Sequence, residues 1–206
     1  LANVHPFQFP ESALAMAHNG DLARFAELKP ALAAHVPPAI ARHVRGSTDS
    51  EWIYALVLSG LRDPCGAPRD GELVDAIERA LAIIRRERGR LGIDVSSSVN
   101  LFFADGTQLA AVRYCFDFGR YPTDDPARVH EANLNFLSLW YTLGRDYGLH
   151  DGEWRMTGGA DAANSILVAS EPLTRDVASW VEVPEYAVLH AGLRGGRPAV
   201  TLRFLD

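Results

Sequence analysis

The chain has 206 residues, 48% of them hydrophobic and 22% charged, with a formal net charge of -6 at neutral pH. A chain of this length buries roughly 70% of the surface it would expose unfolded, enough for one good core, so a single domain over 1–206 is expected. The acidic balance offers no long-range attraction to nucleic-acid phosphates or anionic lipid, and no apolar run approaches the roughly 18 residues of a bilayer span, so nucleic-acid and membrane roles are disfavoured.

Two prolines, Pro6 and Pro10, keep residues 1–11 extended. Residues 12–17 form a small-residue apolar run, read as a buried strand that enters a tight turn at His18-Asn19-Gly20. A helix is expected from Asp21, its N-cap, with Leu22, Phe25, Ala26, Leu28 and Leu32 on one face. Pro30 ends or bends it, and Pro37-Pro38 precedes a short helical piece at 40–44. Thr48 and Glu51 have capping-box spacing, which starts the next helix near residue 49 with Asp49 in its first turn. After a loop over 62–71, Leu73, Ile77, Leu81 and Ile84 mark an amphipathic helix that Gly89 or Gly92 stops.

The period then changes. Residues 99–104 and 107–116 flank Asp105-Gly106, a hairpin signal. Between 117 and 163 the pattern is weak: 137–142 is a strand or the end of a helix begun near Arg128, and 148–161 reads as a loop. Further strands are expected at 165–169, 187–191 and, after Gly195-Gly196, 199–205. Helices followed by antiparallel strands make the fold class α+β.

Three segments in the first fifty residues carry chemistry: Asn3-Val4-His5-Pro6, His18-Asn19-Gly20 and Thr48-Asp49-Ser50-Glu51. Singly, the second is a turn and the third a helix cap. Together, in this order and spacing, they resemble the glutaminase domain of class II glutamine amidotransferases, the N-terminal-nucleophile hydrolases. Residues 100–112, 169–173 and 180–184 extend the likeness toward the single-domain branch that includes γ-glutamyl hydrolases of ergothioneine synthesis and glutathione degradation.

The resemblance implies a four-layer αββα fold, of which this chain gives the middle and C-terminal parts, and a γ-glutamyl amide hydrolase working through a cysteine thiolate and an acyl-enzyme. It implies that Asn19 and the Gly20 N–H form the oxyanion hole, that Asp49 binds the substrate ammonium, and that His5 packs beside the substrate; a structural histidine under the turn is the other reading of His5. Glycine suits position 20 because backbone must approach the substrate without a Cβ in the way. The family nucleophile is a cysteine at the mature N-terminus, whereas this sequence opens on Leu1 without a Met or a signal-peptide core. Roughly the first hundred residues of the native protein are therefore expected to be missing, and the polypeptide as written is expected to be inactive.

Cys65 and Cys115 read as structural, too few for a disulfide scaffold and without zinc-ligand spacing, which fits a reducing cytoplasm. His130 and His150 have no Cys or carboxylate at ligand spacing, so neither metal nor other cofactor is expected. Glu171 and Asp176 read as solvated loop charges, Asp124-Asp125 as a turn, and the aromatic run at 136–141 as core. The expected partner is a small γ-glutamyl compound, glutamine or a γ-glutamyl peptide, with ammonia released to solvent or to a partner enzyme chain. The alternative is a catalytically inactive glutamyl-binding or regulatory subunit of the same fold.

Overall fold

Strand side chains alternate between the two faces of a sheet, so a sheet buried on both sides needs apolar residues on both. The computed structural model, which describes residues 3–69, 71–121, 123–134 and 138–205, has such a sheet at its centre. Expectations that fall on other positions, Phe136 and Leu137 among them, lie outside the described residues.

The elements in chain order are β1 (Ala15–Gly20), α1 (Phe25–Ala33), α2 (Pro38–Ala41), α3 (Asp49–Gly60), α4 (Glu72–Arg90), β2 (Ser97–Ala104), β3 (Gln108–Phe116), α5 (Pro126–Leu134), β4 (Trp140–Gly144), β5 (Asp146–His150), β6 (Glu153–Thr157), β7 (Ser165–Ala169), β8 (Val181–Glu182), β9 (Ala187–Arg194) and β10 (Arg197–Phe204). They make an antiparallel sheet in the order β1-β2-β3-β9-β10, a second in the order β7-β4-β8, and a β5-β6 hairpin. Met16, Val99, Leu101, Phe103, Val112 and Val188 face the helices and join the buried residues of α1, α3 and α4 in one core. On the opposite face Ala111, Ala187 and Leu189 pack with Leu139, Tyr141, Ile166 and Val168 of the smaller sheet. Helices, large sheet and small sheet thus stack in that order, a mixed α/β arrangement of antiparallel sheets. No helix among the described residues is long and apolar enough to cross a membrane.

Several local expectations change. His18-Asn19-Gly20 is not a turn: all three residues lie in β1, paired with Leu101, Asn100 and Val99. Nor is Asp21 an N-cap. Helix α1 starts four residues later, after Arg24 in the left-handed region (φ 55°), which no right-handed helix can include; the amides of Asp21, Leu22 and Ala23 bond to Ser98 O, the Asp49 carboxylate and Ser97 Oγ. Pro30 lies inside α1, which continues to Ala33. The capping box does not close either: Thr48 makes no side-chain cap, and Glu51 reaches back past it to accept from the amides of Arg45 and Gly46 at 2.8 and 2.5 Å.

Helix α4 passes Gly89 and ends at Arg90. Gly92 (φ 62°) turns left-handed and Ile93 N–H closes on Arg88 O at 2.9 Å, a Schellman ending. The hairpin register pairs Ala104 with Leu109, which centres the turn on Gly106-Thr107, while the Asp105 carboxylate accepts from the amides of Thr107 and Gln108. A two-residue Asp-Gly turn does occur, at Asp151-Gly152, where both residues have positive φ and residues 148–161, expected as loop, contain most of the β5-β6 hairpin.

Arg88, 1% exposed, is the largest fully buried side chain among the described residues and joins three elements: it donates to Ser97 Oγ at 2.8 Å and to Asp117 at 2.9 Å, and lies over the Phe116 ring. Arg88→Ala removes a buried charge network and its packing, so it should lower the unfolding free energy by about 3 kcal/mol, read from urea midpoints.

Candidate active site

Strand β1 is an edge strand, and its last three residues point functional groups in three directions. His18 faces the helices, 6% exposed, with Nδ1 2.9 Å from Ser50 Oγ on α3. Asn19 faces the small sheet, where its Nδ2 donates to Ser170 Oγ at 3.1 Å. Gly20 contributes backbone. Asp21 N–H bonds Ser98 O at 3.1 Å, so by the alternation of an antiparallel ladder the Gly20 N–H turns away from β2, toward the outer edge. Phe7 bridges that edge at Met16, further back along the strand.

A side chain cannot replace the hydrogen at residue 20. The backbone has φ 136°, and a Cβ there would stand 2.0 Å from Ser98 O and 3.2 Å from His18 Nε2. The close approach required of this glycine is thus made inward, to β2 and His18, which leaves its outer side clear.

Asp49 opens α3, half-buried. Its Oδ2 accepts from Leu22 N–H at 2.6 Å and its Oδ1 from Ser50 N–H at 2.8 Å. The first bond sets the carboxylate two residues beyond Gly20. A carboxylate has about four lone-pair sites, so two backbone donors leave it able to accept from a cation. Asn3 ties the entry to α3 from the other side, accepting from Ser47 N–H at 3.1 Å and donating to Ser47 Oγ at 3.3 Å. His5 is exposed, its ring edge-on to Phe7 at 5.0 Å.

Asn19, Gly20 and Asp49 therefore come together at one end of β1, with His5 on the flanking segment. Asn3, His5, Asn19 and Gly20 are all exposed, which makes this an open lip. A cavity of about 580 Å³ beside Asp94, Arg120 and Tyr121 includes none of them. Burial pushes the His18 pKa down, with Asp49 opposing and His5 adding to the drop. Desolvation and the Asp49 carboxylate push Asp21 up, with Arg88 opposing.

Neither cysteine belongs to this lip. Cys65 O accepts from Ala13 N–H, at the opposite end of β1 and roughly 20 Å of strand away. Cys115 is buried in β3, beside Ser96 Oγ and Phe116 O, and burial pushes its thiol up to about 11. Among the described residues no group of three or more His, Cys, Asp or Glu side chains is arranged to hold a metal ion. Ser50 and Ser170 went unassigned in the sequence. Both stand in segments read there as motif or family likeness, but a serine in such a segment carries no sign of the strand it will meet.

Residues 1–122 match the model of the class-II glutamine amidotransferases. The probable glutamine amidotransferase DUG3 of Saccharomyces cerevisiae is 30% identical over 200 residues, covering 91% of this chain and 51% of the yeast protein. The chain thus spans about half the length of that curated relative. Among solved structures, a glutamine aminotransferase class-II domain protein from Silicibacter pomeroyi aligns over 98% of this chain and 71% of its own, with a TM-score of 0.63 and 24% identity. A predicted glutamine amidotransferase from Pseudomonas aeruginosa aligns over 96% and 65%, with a TM-score of 0.54 and 21% identity. At such identities the likeness is one of fold.

Two predictions follow from the lip's packing. Gly20→Ala should destabilise the chain by at least about 2 kcal/mol in urea unfolding, because a left-handed backbone and a backbone clash act together. His18 is a base whose pKa is depressed on folding, so the unfolded chain takes up its proton first as pH falls below about 6.5. Stability should then be fully present above that pH and decline as the pH falls below it, and His18→Asn should flatten the slope of unfolding free energy against pH.

Proposed function

Since the chain belongs to the class II glutamine amidotransferases, we propose that it hydrolyses γ-glutamyl amides, holding the glutamyl group at the lip formed by Asn19, Gly20 and Asp49. In this reaction a thiolate attacks the γ-carbonyl carbon, the carbonyl oxygen takes up negative charge, the C–N bond breaks as the amine leaves with a proton, and water cleaves the resulting thioester to give glutamate. Asn19 Nδ2 and the Gly20 N–H donate to the oxyanion, Asp49 accepts from the α-ammonium group, and His5 flanks the bound ligand. The attacking sulfur is that of an N-terminal cysteine, whose α-amino group serves as the base. Cys115, a thiol with a pKa near 11, is almost wholly protonated at neutral pH and unsuited to the role.

The observation that supports this reading is the 2.6 Å bond from Leu22 N–H to Asp49, which holds a carboxylate two residues beyond Gly20, where the proposed chemistry needs an acceptor near its donors. The helix–sheet–sheet stack agrees with the αββα sandwich, in which a second helical layer would lie outside the small sheet. Ammonia, or a larger amine if the substrate is a γ-glutamyl peptide, leaves to solvent or to a partner chain.

The full-length protein incubated with a diazoketone analogue of glutamine should gain one adduct by intact mass, mapped to an N-terminal cysteine and suppressed by L-glutamine. An adduct on Cys65 alone, or none, would overturn the proposal, and glutamine binding without turnover would instead support a regulatory subunit. In steady-state ammonia release, Asn19→Ala should lower kcat by roughly 100- to 1000-fold with KM little changed. Asp49→Ala should chiefly raise KM, by roughly tenfold or more, for substrates with a free α-amino group.

A further inference from the structure

The Asn19 side chain starts a path of hydrogen bonds that crosses from one sheet to the other. Asn19 and Asn100 are partners across β1 and β2 and point to the same face. Asn100 Nδ2 donates to Ser138 O at 2.9 Å, just before β4. Ser138 Oγ donates to Ser170 O, just after β7, and Ser170 Oγ accepts from Asn19 Nδ2 at 3.1 Å. The strand pairing of Trp140 with Ala169 holds the two serine segments side by side.

A primary amide nitrogen has two N–H bonds in one plane, about 120° apart. If one is fixed on Ser170 Oγ, the other has a single direction left, and the rotation about χ2 that would spread it over many directions is lost. An exposed asparagine without that anchor would have to be ordered anew at each turnover, and hydrogen-bond donors stabilise an oxyanion best when already aimed. The hydroxyl can serve as acceptor because its own proton is free to turn away.

We infer that Ser170 is a positioning residue for oxyanion stabilisation: its hydroxyl holds one N–H of Asn19 so that the other points at the developing charge, and Ser138 and Asn100 hold Ser170 in place. The inference rests on the oxyanion role proposed above for Asn19. Loss of the anchor leaves the donor present but unaimed, so its effect should fall on kcat and stay below that of deleting Asn19.

The test uses the full-length protein with L-glutamine and γ-glutamyl-p-nitroanilide. Ser170→Ala should lower kcat by roughly tenfold, less than the 100-fold or more of losing the donor itself, with KM within about twofold. Ser170→Thr, which keeps the hydroxyl, should recover most of that loss. Ser138→Ala should shift kcat the same way by a smaller factor. In ¹⁵N-labelled protein the Asn19 side-chain NH₂ pair, assigned with Asn19→Asp, should show two well-separated proton shifts that draw together in Ser170→Ala. This readout needs no turnover and would not follow from a general loss of stability. Wild-type kcat in Ser170→Ala, or an unchanged Asn19 NH₂ pair, would overturn the inference while leaving the γ-glutamyl assignment intact. A wild-type protein that hydrolyses neither compound would overturn that assignment, and the positioning role with it. If Ser170→Ala does not fold, a Ser138→Ala protein with wild-type kcat and an unchanged Asn19 pair overturns the inference equally.

Discussion

Three consecutive amides after Gly20 hold the lip in place. Asp21 N–H goes to Ser98 O, Leu22 N–H to the Asp49 carboxylate and Ala23 N–H to Ser97 Oγ, so a strand, a helix and a hydroxyl anchored by Arg88 each take one. The segment between β1 and α1 is instead pinned to three separate acceptors and turns at Ala23-Arg24 before the helix begins. That constraint fixes where β1 ends, and with it the direction of the Gly20 N–H and the distance from Gly20 to Asp49. Without it, Asn19 and Asp49 would be only two polar residues thirty positions apart.

The same carboxylate serves structure and, in the proposed chemistry, binding, and the two uses are compatible because of where its charge sits. Asp49 lies in the first turn of α3, at the positive end of the helix dipole, with a backbone donor on each oxygen. Asp21 nearby is pushed up by burial first and by the Asp49 carboxylate second, and Arg88 offsets only part of it.

The sequence disclosed the helical layer and most strands because their period is strong. Leu73, Ile77, Leu81 and Ile84 repeat as a helix must, and residues 165–169 are the strand they were expected to be. What it concealed follows from tertiary bonds. His18-Asn19-Gly20 has turn composition, yet pairing with β2 keeps it extended, since Gly20 satisfies a close packing contact and not a reversal of the chain. The box of Thr48 and Glu51 fails because Glu51 finds two better donors in Arg45 and Gly46. At the lip, the residues that the proposed chemistry uses, Asn19, Gly20 and Asp49, were legible; the serines bonded beside them were not, because a serine's partner is decided by which strand the fold brings beside it.

That division explains why the hydrogen bond from Asn19 to the partly buried Ser170 matters for a side chain as exposed as Asn19. Asn19 stands on an edge strand, and its side chain is held from the sheet face beyond it, by Ser170. The small sheet supplies that hold through the end of β7 and the start of β4, two strands whose pairing is independent of β1. A donor aimed at charge must be held by groups that do not move with the substrate. Placing the holder on one sheet and the donor on the other makes the stacking of the two sheets, through Ala111, Leu189, Tyr141 and Ile166, a condition for the geometry of the lip.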